Sequence, residues 1–403
     1  MYSSRYARAR EALRRLSGTR AAELRAVVGG AEKLAAGGRL SAGRMPAVFL
    51  ELVRNERFWS RRGAPDPGRR FSFGRDPVIL QYYPGQGLRI QPLASAAEAN
   101  RLYNACRGYK TRPGTPCRKR TLGRLLDRLV ELAARRGDFK AWEYYFPFSG
   151  GSAPWVSGMA QGTVIQALAR GHRHLGGDDG YLDAAREGLG AFETPAPAGV
   201  AVPAPGGTHY AMYSQRPGLK VLNGFLQAVA GLQTYARVSG ERRAWALFRA
   251  GDAAAQHAVP SFDTGGWSLY SKPGGESTVE YHRLVRDFLG NLCRRDGGRV
   301  YCRTERRFTS YVDEPPRLHV RPIRGARRGR PLRVRFRLSR NALVTVSARS
   351  EGGKTVFGRS LRLRRGSHEV RWTPRGSQHY RVKVSARDRR GKRASSSRLA
   401  RVR

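Results

Sequence analysis

The spacing of apolar residues divides the chain into three regions. Up to about residue 60, apolar side chains such as Leu13, Leu16, Leu24 and Val27 recur near helical spacing among arginines. We interpret residues 1–70 as a basic helical segment. A solvated helical hairpin is preferred over an arm that binds an anionic surface. The strand-like run 76–83, a Pro-Gly turn and a short strand at 88–90 then predict a β-hairpin.

The second region has a helical period and runs from this hairpin to residue 312. Consecutive helices joined by loops rich in Gly, Pro, Trp and Tyr predict helical hairpins around a cleft, an incomplete α/α toroid, although the period alone equally allows a plain helical bundle. We place this predicted domain, with its leading β-hairpin, at residues 71–312. The predicted helices are 96–106, 122–136, 156–170, 181–192, 219–238, 242–258 and 279–293.

The third region alternates with a period of two after a linker rich in Pro and Arg at 313–330. Five short runs with turns between them predict a β-sandwich of the immunoglobulin or fibronectin kind at 331–403. The fold class is therefore mainly α, followed by a β-sandwich. We expect this sandwich to be an accessory domain without chemistry, so that a chain ending after Arg330 would keep its activity. The predicted strands are 332–338, 343–348, 356–363, 369–372 and 380–386.

The net charge of the chain restricts the classes of binding partner to be considered. The net charge is +46, and the 76 basic residues comprise nine Lys and 67 Arg. A GC-rich genome accounts for a preference for Arg over Lys but not for an Asp and Glu total of only 30. A polyanion is the natural partner, and nucleic acid, acidic membrane surfaces and acidic glycans all qualify. Nucleic acid is disfavoured because we find no recognised binding motif and no aromatic-basic repeat that would stack bases.

Four cysteines fall into two local pairs without the Cys-x-x-Cys spacing of a zinc site. We expect the disulfides Cys106–Cys117 and Cys293–Cys302, no metal, and a location outside the cytosol. The first residues form a basic amphipathic stretch without the apolar core of a signal peptide, which conflicts with that location, and we give the cysteines more weight. No apolar run approaches the length of a transmembrane helix.

Three tyrosine contexts are candidates for chemistry: residues 209–213, 267–270 and 280–283. In the third, Ser277 and Glu280 fit a capping box that would place Tyr281 in the first helical turn. Unpaired amides and the helix dipole favour a phenolate or a bound carboxylate there. A buried structural tyrosine would give the same pattern in each context.

Four motifs in order resemble the catalytic domain of D-glucuronyl C5-epimerases. They are WVSGMAQG at 155–162, YSQRPGLKVLNGF at 213–225, PSFDTGGWSLY at 260–270 and EYH at 280–282, with a thinner likeness at 81–93. The resemblance covers residues 81–294 and implies inversion of C5 in glucuronyl units of an acidic polysaccharide. This chemistry needs a proton-transfer group on each face of the sugar and a clamp for the carboxylate.

The resemblance assigns roles to eight residues and implies no cofactor. The proton-transfer tyrosines fall on Tyr213, Tyr270 and Tyr281, which should converge on one cleft. The implied substrate-binding residues are His282, Lys272, Asn223, Arg216 and Trp267. Gly224 would permit close packing beside Asn223.

Two departures from the family widen the alternatives. Met212 stands where an acidic residue precedes the tyrosine in the animal enzymes, and a thioether cannot transfer protons. The gap between Tyr270 and Tyr281 is also short, which implies a trimmed loop. The alternatives are a polysaccharide lyase, which shares the first chemical step, and an acidic-glycan-binding protein without turnover. The sequence leaves a homodimer open.

Overall fold

The computed structural model describes residues 2–74, 76–109, 116–176, 179–296 and 298–403. The chain forms two compact units, residues 1–257 and 258–403. This division differs from the predicted one at 312/313.

The first unit is mainly helical. Its helices are α1 (Tyr2–Arg15), α2 (Gly18–Ala36), α3 (Met45–Trp59), α4 (Pro92–Cys106), α5 (Lys119–Glu131), α6 (Gly158–Leu175), α7 (Asp179–Gly188), α8 (Gly190–Glu193), α9 (Leu222–Ser239) and α10 (Arg242–Ala258). Its strands are β1 (Arg70–Phe73), β2 (Asp76–Tyr83), β3 (Gly87–Ile90), β4 (Ala134–Arg136), β5 (Phe139–Ala141), β6 (Ala201–Ala204), β7 (Gly207–Tyr210) and β8 (Lys220–Val221).

The N-terminal segment is part of a core and is not a solvated hairpin. One apolar cluster joins side chains of α2 and α3 to those of β2 and β3, so residues 1–70 do not pack separately from the β-hairpin. Extended backbone at Ser17 (φ −134°) separates α1 from α2. Within this core Glu51 accepts a hydrogen bond from the Arg89 guanidinium at 2.8 Å, and both side chains are buried. Such a pair is tolerated only because its remaining polar atoms are also bonded, as the Ile90 amide is to Glu51.

Two buried helices, α6 and α9, form the centre of the first unit. Glycines let their backbones approach: a Cβ at Gly231 would lie 2.1 Å from the Gly162 carbonyl oxygen, and one at Gly162 would lie 2.7 Å from the Ala228 Cα. Close packing of this kind fixes both helices along their length. The loops that carry Trp155 and Tyr213 lead into these two helices, so their positions are set by the same packing.

The second unit begins with a 3-10 helix (Val259–Phe262) and two helices, α11 (Val279–Asp296) and α12 (Arg299–Asp313), and ends in two antiparallel sheets. Its strands are β9 (Ser271–Lys272), β10 (Leu318–Val320), β11 (Leu332–Leu338), β12 (Ala342–Arg349), β13 (Thr355–Leu363), β14 (Gly366–Trp372), β15 (His379–Asp388) and β16 (Arg393–Arg401).

The C-terminal sheets have the orders β10-β11-β14 and β13-β12-β15-β16, and their inward residues form one apolar cluster. All five predicted strands are present. The elements from residue 299 onwards that were not predicted are α12, β10, which lies inside the predicted linker, and β16. The Ser-rich β16 alternates between small and polar residues, so it lacks the apolar period that revealed its neighbours.

Arg340 connects the sheets to the helical part of the second unit. Its side chain is buried, and one guanidinium nitrogen donates to the Tyr311 carbonyl at 2.8 Å and approaches Asp388 at 3.3 Å. Nearby, the Asn341 amide donates to the Glu276 carboxylate at 3.0 Å. These contacts join residues 258–313 to the sheets within the second unit.

Both predicted disulfides are present, Cys106–Cys117 and Cys293–Cys302. His174 lies within 4.8 Å of the first pair, but sulfurs bonded to each other are not thiolates and do not form a metal site with it. Two disulfides are consistent with an extracellular protein. Among the helices that the structure describes, none is both long and apolar enough to cross a bilayer.

Mass mapping of the unreduced protein should recover the two disulfides as linked peptides. The pairs are 11 and 9 residues apart, so loss of either cross-link should lower the free energy of unfolding by about 2–3 kcal/mol through unfolded-state entropy. Denaturant unfolding of the Cys106→Ser/Cys117→Ser double variant measures this. Four free thiols in the native protein would contradict the assignment.

Candidate functional site

In the first unit, Tyr213 belongs to an aromatic cluster, which we define as Tyr83, Tyr144, Phe148, Trp155 and Tyr213. Tyr144 and Trp155 stack with ring centroids 4.1 Å apart, and the Tyr213 ring lies 5.8 Å from Trp155 and 5.6 Å from Phe148. The backbone around Tyr213 is held because the next residue, Ser214, exchanges hydrogen bonds with Val156 at 3.0 and 3.1 Å. Tyr213 is half-buried, and flat faces of this kind suit contact with sugar rings.

The hydroxyl groups of this aromatic cluster are linked through Gln91. The Tyr144 hydroxyl donates to the side-chain oxygen Oε1 of Gln91 at 2.6 Å, and the side-chain nitrogen Nε2 of Gln91 donates to the Tyr83 hydroxyl at 2.7 Å. Burial raises the pKa of Tyr83 to about 12, and it also raises the pKa of Tyr144 well above its ordinary value. The interaction with Tyr213 contributes to the raised pKa of both residues. Tyr83 and Tyr144 therefore stay protonated at neutral pH.

Arg216 fastens the turn beside the aromatic cluster. One of its guanidinium nitrogens donates to the Ser149 carbonyl at 3.2 Å and to the Ser149 hydroxyl at 2.7 Å. Ser149 has φ +53°, a left-handed conformation that a side chain rarely adopts and that local bonds must stabilise. Since Arg216 is exposed, its charge remains accessible to an anion beside this turn.

Asn223 is buried in the first turn of α9. Its amide nitrogen lies 3.8 Å from the Met159 sulfur, and its side-chain oxygen has no hydrogen-bond partner within the described ranges. The neighbouring Gly224 packs on Met212, because a Cβ at this glycine would lie 2.9 Å from the Met212 sulfur. Met212 thus fills space against the helix that carries Asn223, and the close packing predicted for Gly224 is confirmed.

In the second unit, Tyr270 and Tyr281 lie side by side. Their ring centroids are 4.8 Å apart, and 40% of the Tyr281 surface is exposed. The cap of α11 is Thr278 and not Ser277, since the Tyr281 amide donates to the Thr278 hydroxyl at 3.3 Å. Hydrogen bonds from its own amide and from Thr278 lower the pKa of Glu280. Tyr281 lies in the first helical turn as predicted, with a carboxylate already at the helix N-terminus.

Trp267 and His282 form a buried stack in the same unit. Their rings lie 3.7 Å apart at 10°, and the Trp267 indole donates to the Ser277 carbonyl at 2.9 Å. The His282 Nε2–H donates to the Phe308 carbonyl at 2.9 Å, so Nδ1 is the acceptor for Ser268 at 2.8 Å. Because burial lowers the pKa of His282 to about 4, the ring is neutral at pH 7 and both nitrogens are engaged. This geometry favours a structural role over carboxylate binding.

Acid should destabilise the second unit through His282. Its pKa is about 4 when folded against about 6.5 when unfolded, so the unfolded chain binds the extra proton between these values. Stability is therefore full above pH 6.5 and falls as the pH drops towards 4, by about 2 kcal/mol at pH 5. Denaturant unfolding across this range measures how the free energy of unfolding changes with pH. In a His282→Gln variant this slope should decrease by the equivalent of up to one bound proton. An unchanged slope in that variant would show that another group titrates.

Lys272 is half-buried, and its ammonium lies 5.2 Å from the centroid of the Phe262 ring. A cation held over an aromatic face is attracted to the ring.

The predicted site residues are divided between the two units. The first unit contains Tyr213, Arg216 and Asn223, and the second contains Trp267, Tyr270, Lys272, Tyr281 and His282. Tyr144 and Phe148 were not predicted, although the aromatic run at 142–148 was a signal for them.

Residues 136–310 match the family model described as the D-glucuronyl C5-epimerase C-terminus. This segment belongs to that family. The predicted resemblance is therefore confirmed for residues 136–294, and the match includes Tyr213, Tyr270 and Tyr281 and extends into α12. The thinner likeness at 81–93 lies outside the matched residues.

Two curated relatives are similar to part of this chain. A D-glucuronyl C5-epimerase of Caenorhabditis elegans is 31% identical over 129 residues, which cover 29% of this chain and 21% of that protein. An uncharacterized protein of Methanocaldococcus jannaschii is 25% identical over 180 residues, 43% of this chain and 58% of that protein. The chain thus spans less than two thirds of the length of either relative.

A solved cellobiose 2-epimerase from Bacillus thermoamylovorans is also similar, with 11% identity, coverage of 73% of this chain and 75% of that chain, and a TM-score of 0.41. At that score the likeness carries no argument about fold or activity.

Proposed function

We propose that the chain is an epimerase that inverts C5 of D-glucuronyl residues in an acidic polysaccharide. One observation carries the proposal: the matched segment contains the three tyrosines to which the resemblance assigns proton transfer, and two of them, Tyr270 and Tyr281, lie with rings 4.8 Å apart. Family membership supports an epimerase and a carbohydrate substrate. The position of inversion, the polysaccharide and independence from cofactors are parts of the proposal.

The proposed reaction conserves all atoms. A tyrosine phenolate takes the proton from C5, and the electron pair of the broken C–H bond spreads into the neighbouring carboxylate. A second tyrosine hydroxyl delivers a proton to the opposite face of C5, which inverts the centre. Solvent restores the two tyrosines to their starting protonation states. The three candidate acids and bases are Tyr213, Tyr270 and Tyr281.

Stabilising the charged carboxylate requires a cation or hydrogen-bond donors near it. Arg216 and Lys272 are the predicted residues whose charge the described contacts leave unpaired by a carboxylate. His282 does not suit this role, because it is neutral and both of its nitrogens are bonded. We therefore propose Arg216 and Lys272 as the carboxylate-binding candidates and treat Trp267 and His282 as residues that support the Tyr270 segment.

Some finer predictions remain part of this proposal. They are an α/α toroid for the helical region, an immunoglobulin-like fold for the C-terminal sheets, and action outside the cytoplasm, which the two disulfides support. Met212 is compatible with turnover in this proposal, because its contact with Gly224 gives it a packing role that needs no proton transfer.

Deuterium exchange tests the proposed reaction. The protein is incubated in deuterated water with unsulfated chains that contain glucuronate, and C5 is examined by NMR. We expect deuterium at C5 and a growing fraction of iduronate. Formation of an unsaturated uronate chromophore would instead identify a lyase, and bound glycan without label would identify a binding protein, and either result would contradict the proposal.

A further inference from the structure

The outer face of the four-stranded sheet β13-β12-β15-β16 carries an unbalanced positive charge. Residues 331–403 contain 22 Lys and Arg against three acidic residues, so cations must share surfaces without counterions. Arg401 and six further cations project from this one side, because alternate residues of each strand, such as Val344, Val382 and Val384, point inward and are buried. We define the cationic face as Arg349, Arg362, Arg381, Lys383, Arg387 and Arg393.

Strand register places like charges directly opposite each other. Arg387 faces Arg393 across one strand pair, and Arg349 faces Arg381 across another. Such pairs destabilise a sheet, so an arrangement of this kind indicates an anionic ligand. Within the described part of the chain, none of the six cations forms an ion pair with a carboxylate, and Glu351, at the end of the face, is paired with His379 at 3.0 Å.

Hydroxyl groups fill the space between these cations. One row across the sheet consists of Ser360, Thr345, Ser385 and Ser395 in register, and Thr345 and Ser360 are hydrogen-bonded at 2.8 Å. A shallow depression of about 390 Å³ follows this row and is bordered by Lys383 and Arg387, and a second of about 620 Å³ lies beside Arg362. Cations with interspersed hydroxyls match a ligand that carries both anionic groups and sugar hydroxyls.

The opposite sheet provides a contrast on the same scaffold. On the outer side of β11 and β14, Glu369 accepts from Arg335 at 2.9 Å and from Arg371 at 2.8 Å, and Arg333 lies 3.9 Å away. These hydrogen bonds lower the pKa of Glu369. There the arginines already share a counterion, so that side is less suited to a polyanion.

We propose that the cationic face binds an acidic polysaccharide and holds it on the protein. The choice of a glycan over a nucleic acid rests in part on the proposed function. It rests also on the composition of the face: in the described strands no Phe, Tyr or Trp side chain projects from it, and the His379 ring at its end is paired with Glu351, so bases would lack a stacking platform. The C-terminal sheets would then be a substrate-retaining module and not a spacer.

The test of this proposal is the binding of the full-length protein to heparin and to an unsulfated glucuronate chain. Single-stranded DNA of matched charge is the alternative ligand, and its affinity is compared with that of the two glycans. The variant is Lys383→Ser/Arg387→Ser/Arg393→Ser, and its charge-matched control is Arg333→Ser/Arg335→Ser/Arg371→Ser. We expect the first to raise the Kd for the glycans at least tenfold and to reduce the salt slope by up to about three counterions. The control should stay within threefold. Exchange at C5 of a short oligosaccharide should be unchanged in both.

Equal loss in the two triple variants would overturn the proposal, because net charge alone would explain it. Tighter binding of DNA than of either glycan, lost in the first variant, would assign the face to nucleic acid and would also overturn it. If the wild type exchanges no C5 proton but the first variant alone loses glycan binding, the proposed function fails and the cationic face stands.

Discussion

Replacing Tyr213, Tyr270 or Tyr281 by phenylalanine should lower the rate of C5 exchange about 10²- to 10⁴-fold for each residue that transfers a proton. Phenylalanine keeps the ring, and hence the contacts of Tyr213 with Trp155 and of Tyr270 with Tyr281, and removes only the hydroxyl. Because the ring contacts are kept, the effect should appear in kcat. Deuterium incorporation at C5 under saturating substrate measures it.

Tyr210→Phe is the matched control for these variants. Tyr210 lies in the same family segment, three residues from Tyr213, but it is buried and its hydroxyl donates to the Leu247 carbonyl at 2.6 Å. Loss of this bond should cost about 1 kcal/mol of stability and leave exchange nearly unchanged. If all three test variants behave like Tyr210→Phe, the tyrosine mechanism is wrong.

The order of events separates the two proton-transfer roles. If each tyrosine serves one face of the sugar, a variant that lacks one base should lose deuterium label with only one of the two starting epimers. If one tyrosine serves both directions, its variant should lose label with both epimers. Comparing glucuronate-rich with iduronate-rich chains therefore assigns a base to each direction. Tyr270 and Tyr281 are adjacent, so replacing both should show non-additive losses if they act as one unit.

Apolar periodicity predicted most helices and strands of this fold because those elements bury one regular face. It failed where charged or small polar residues hide the buried face in the sequence. The Ser-rich β16 lacks apolar alternation, and α12, which buries Tyr301, Phe308 and Val312, is obscured in the sequence by its arginines. The N-terminal helices looked solvated for the same reason, although one face of α2 and α3 is core.

The sequence predicted the candidate site only where its motifs follow the order found in the family. Motifs located the three tyrosines, but not which neighbours each would touch. His282 is the clearest case, since its adjacency to Tyr281 suggested substrate binding, whereas its ring lies against Trp267 with both nitrogens bonded inside the protein. Partners such as Ser268 and Phe308 are 14 and 26 residues away from His282, so short-range patterns could not reveal them.

Removing the C-terminal sheets should abolish activity, which reverses the expectation from sequence. A chain ending after Arg330 loses Arg340, whose guanidinium lies 5.2 Å from the centroid of the Trp267 ring, and loses the Asn341 amide that binds Glu276. Trp267 and Glu276 flank the segment that carries Tyr270. Without these contacts, that segment should lose its order, and C5 exchange should fall to less than about one hundredth of the wild-type rate. Exchange by the purified truncated chain measures this directly.

Arg340→Ala tests the same connection without deleting a domain. The substitution leaves Asp388 buried without its cation and removes the donor to the Tyr311 carbonyl, so the free energy of unfolding should fall by about 3–5 kcal/mol. The exposed Arg375, which pairs with no carboxylate among the residues that the structure describes, supplies the control Arg375→Ala, which should stay within about 0.5 kcal/mol. Because the buried arginine acts through Trp267, Arg340→Ala should lower kcat more than it raises KM when assayed well below its unfolding temperature. The opposite result would be a truncated chain that unfolds cooperatively and exchanges C5 protons at the wild-type rate. The sheets would then be a dispensable accessory domain, and their cationic face would serve only to retain the glycan.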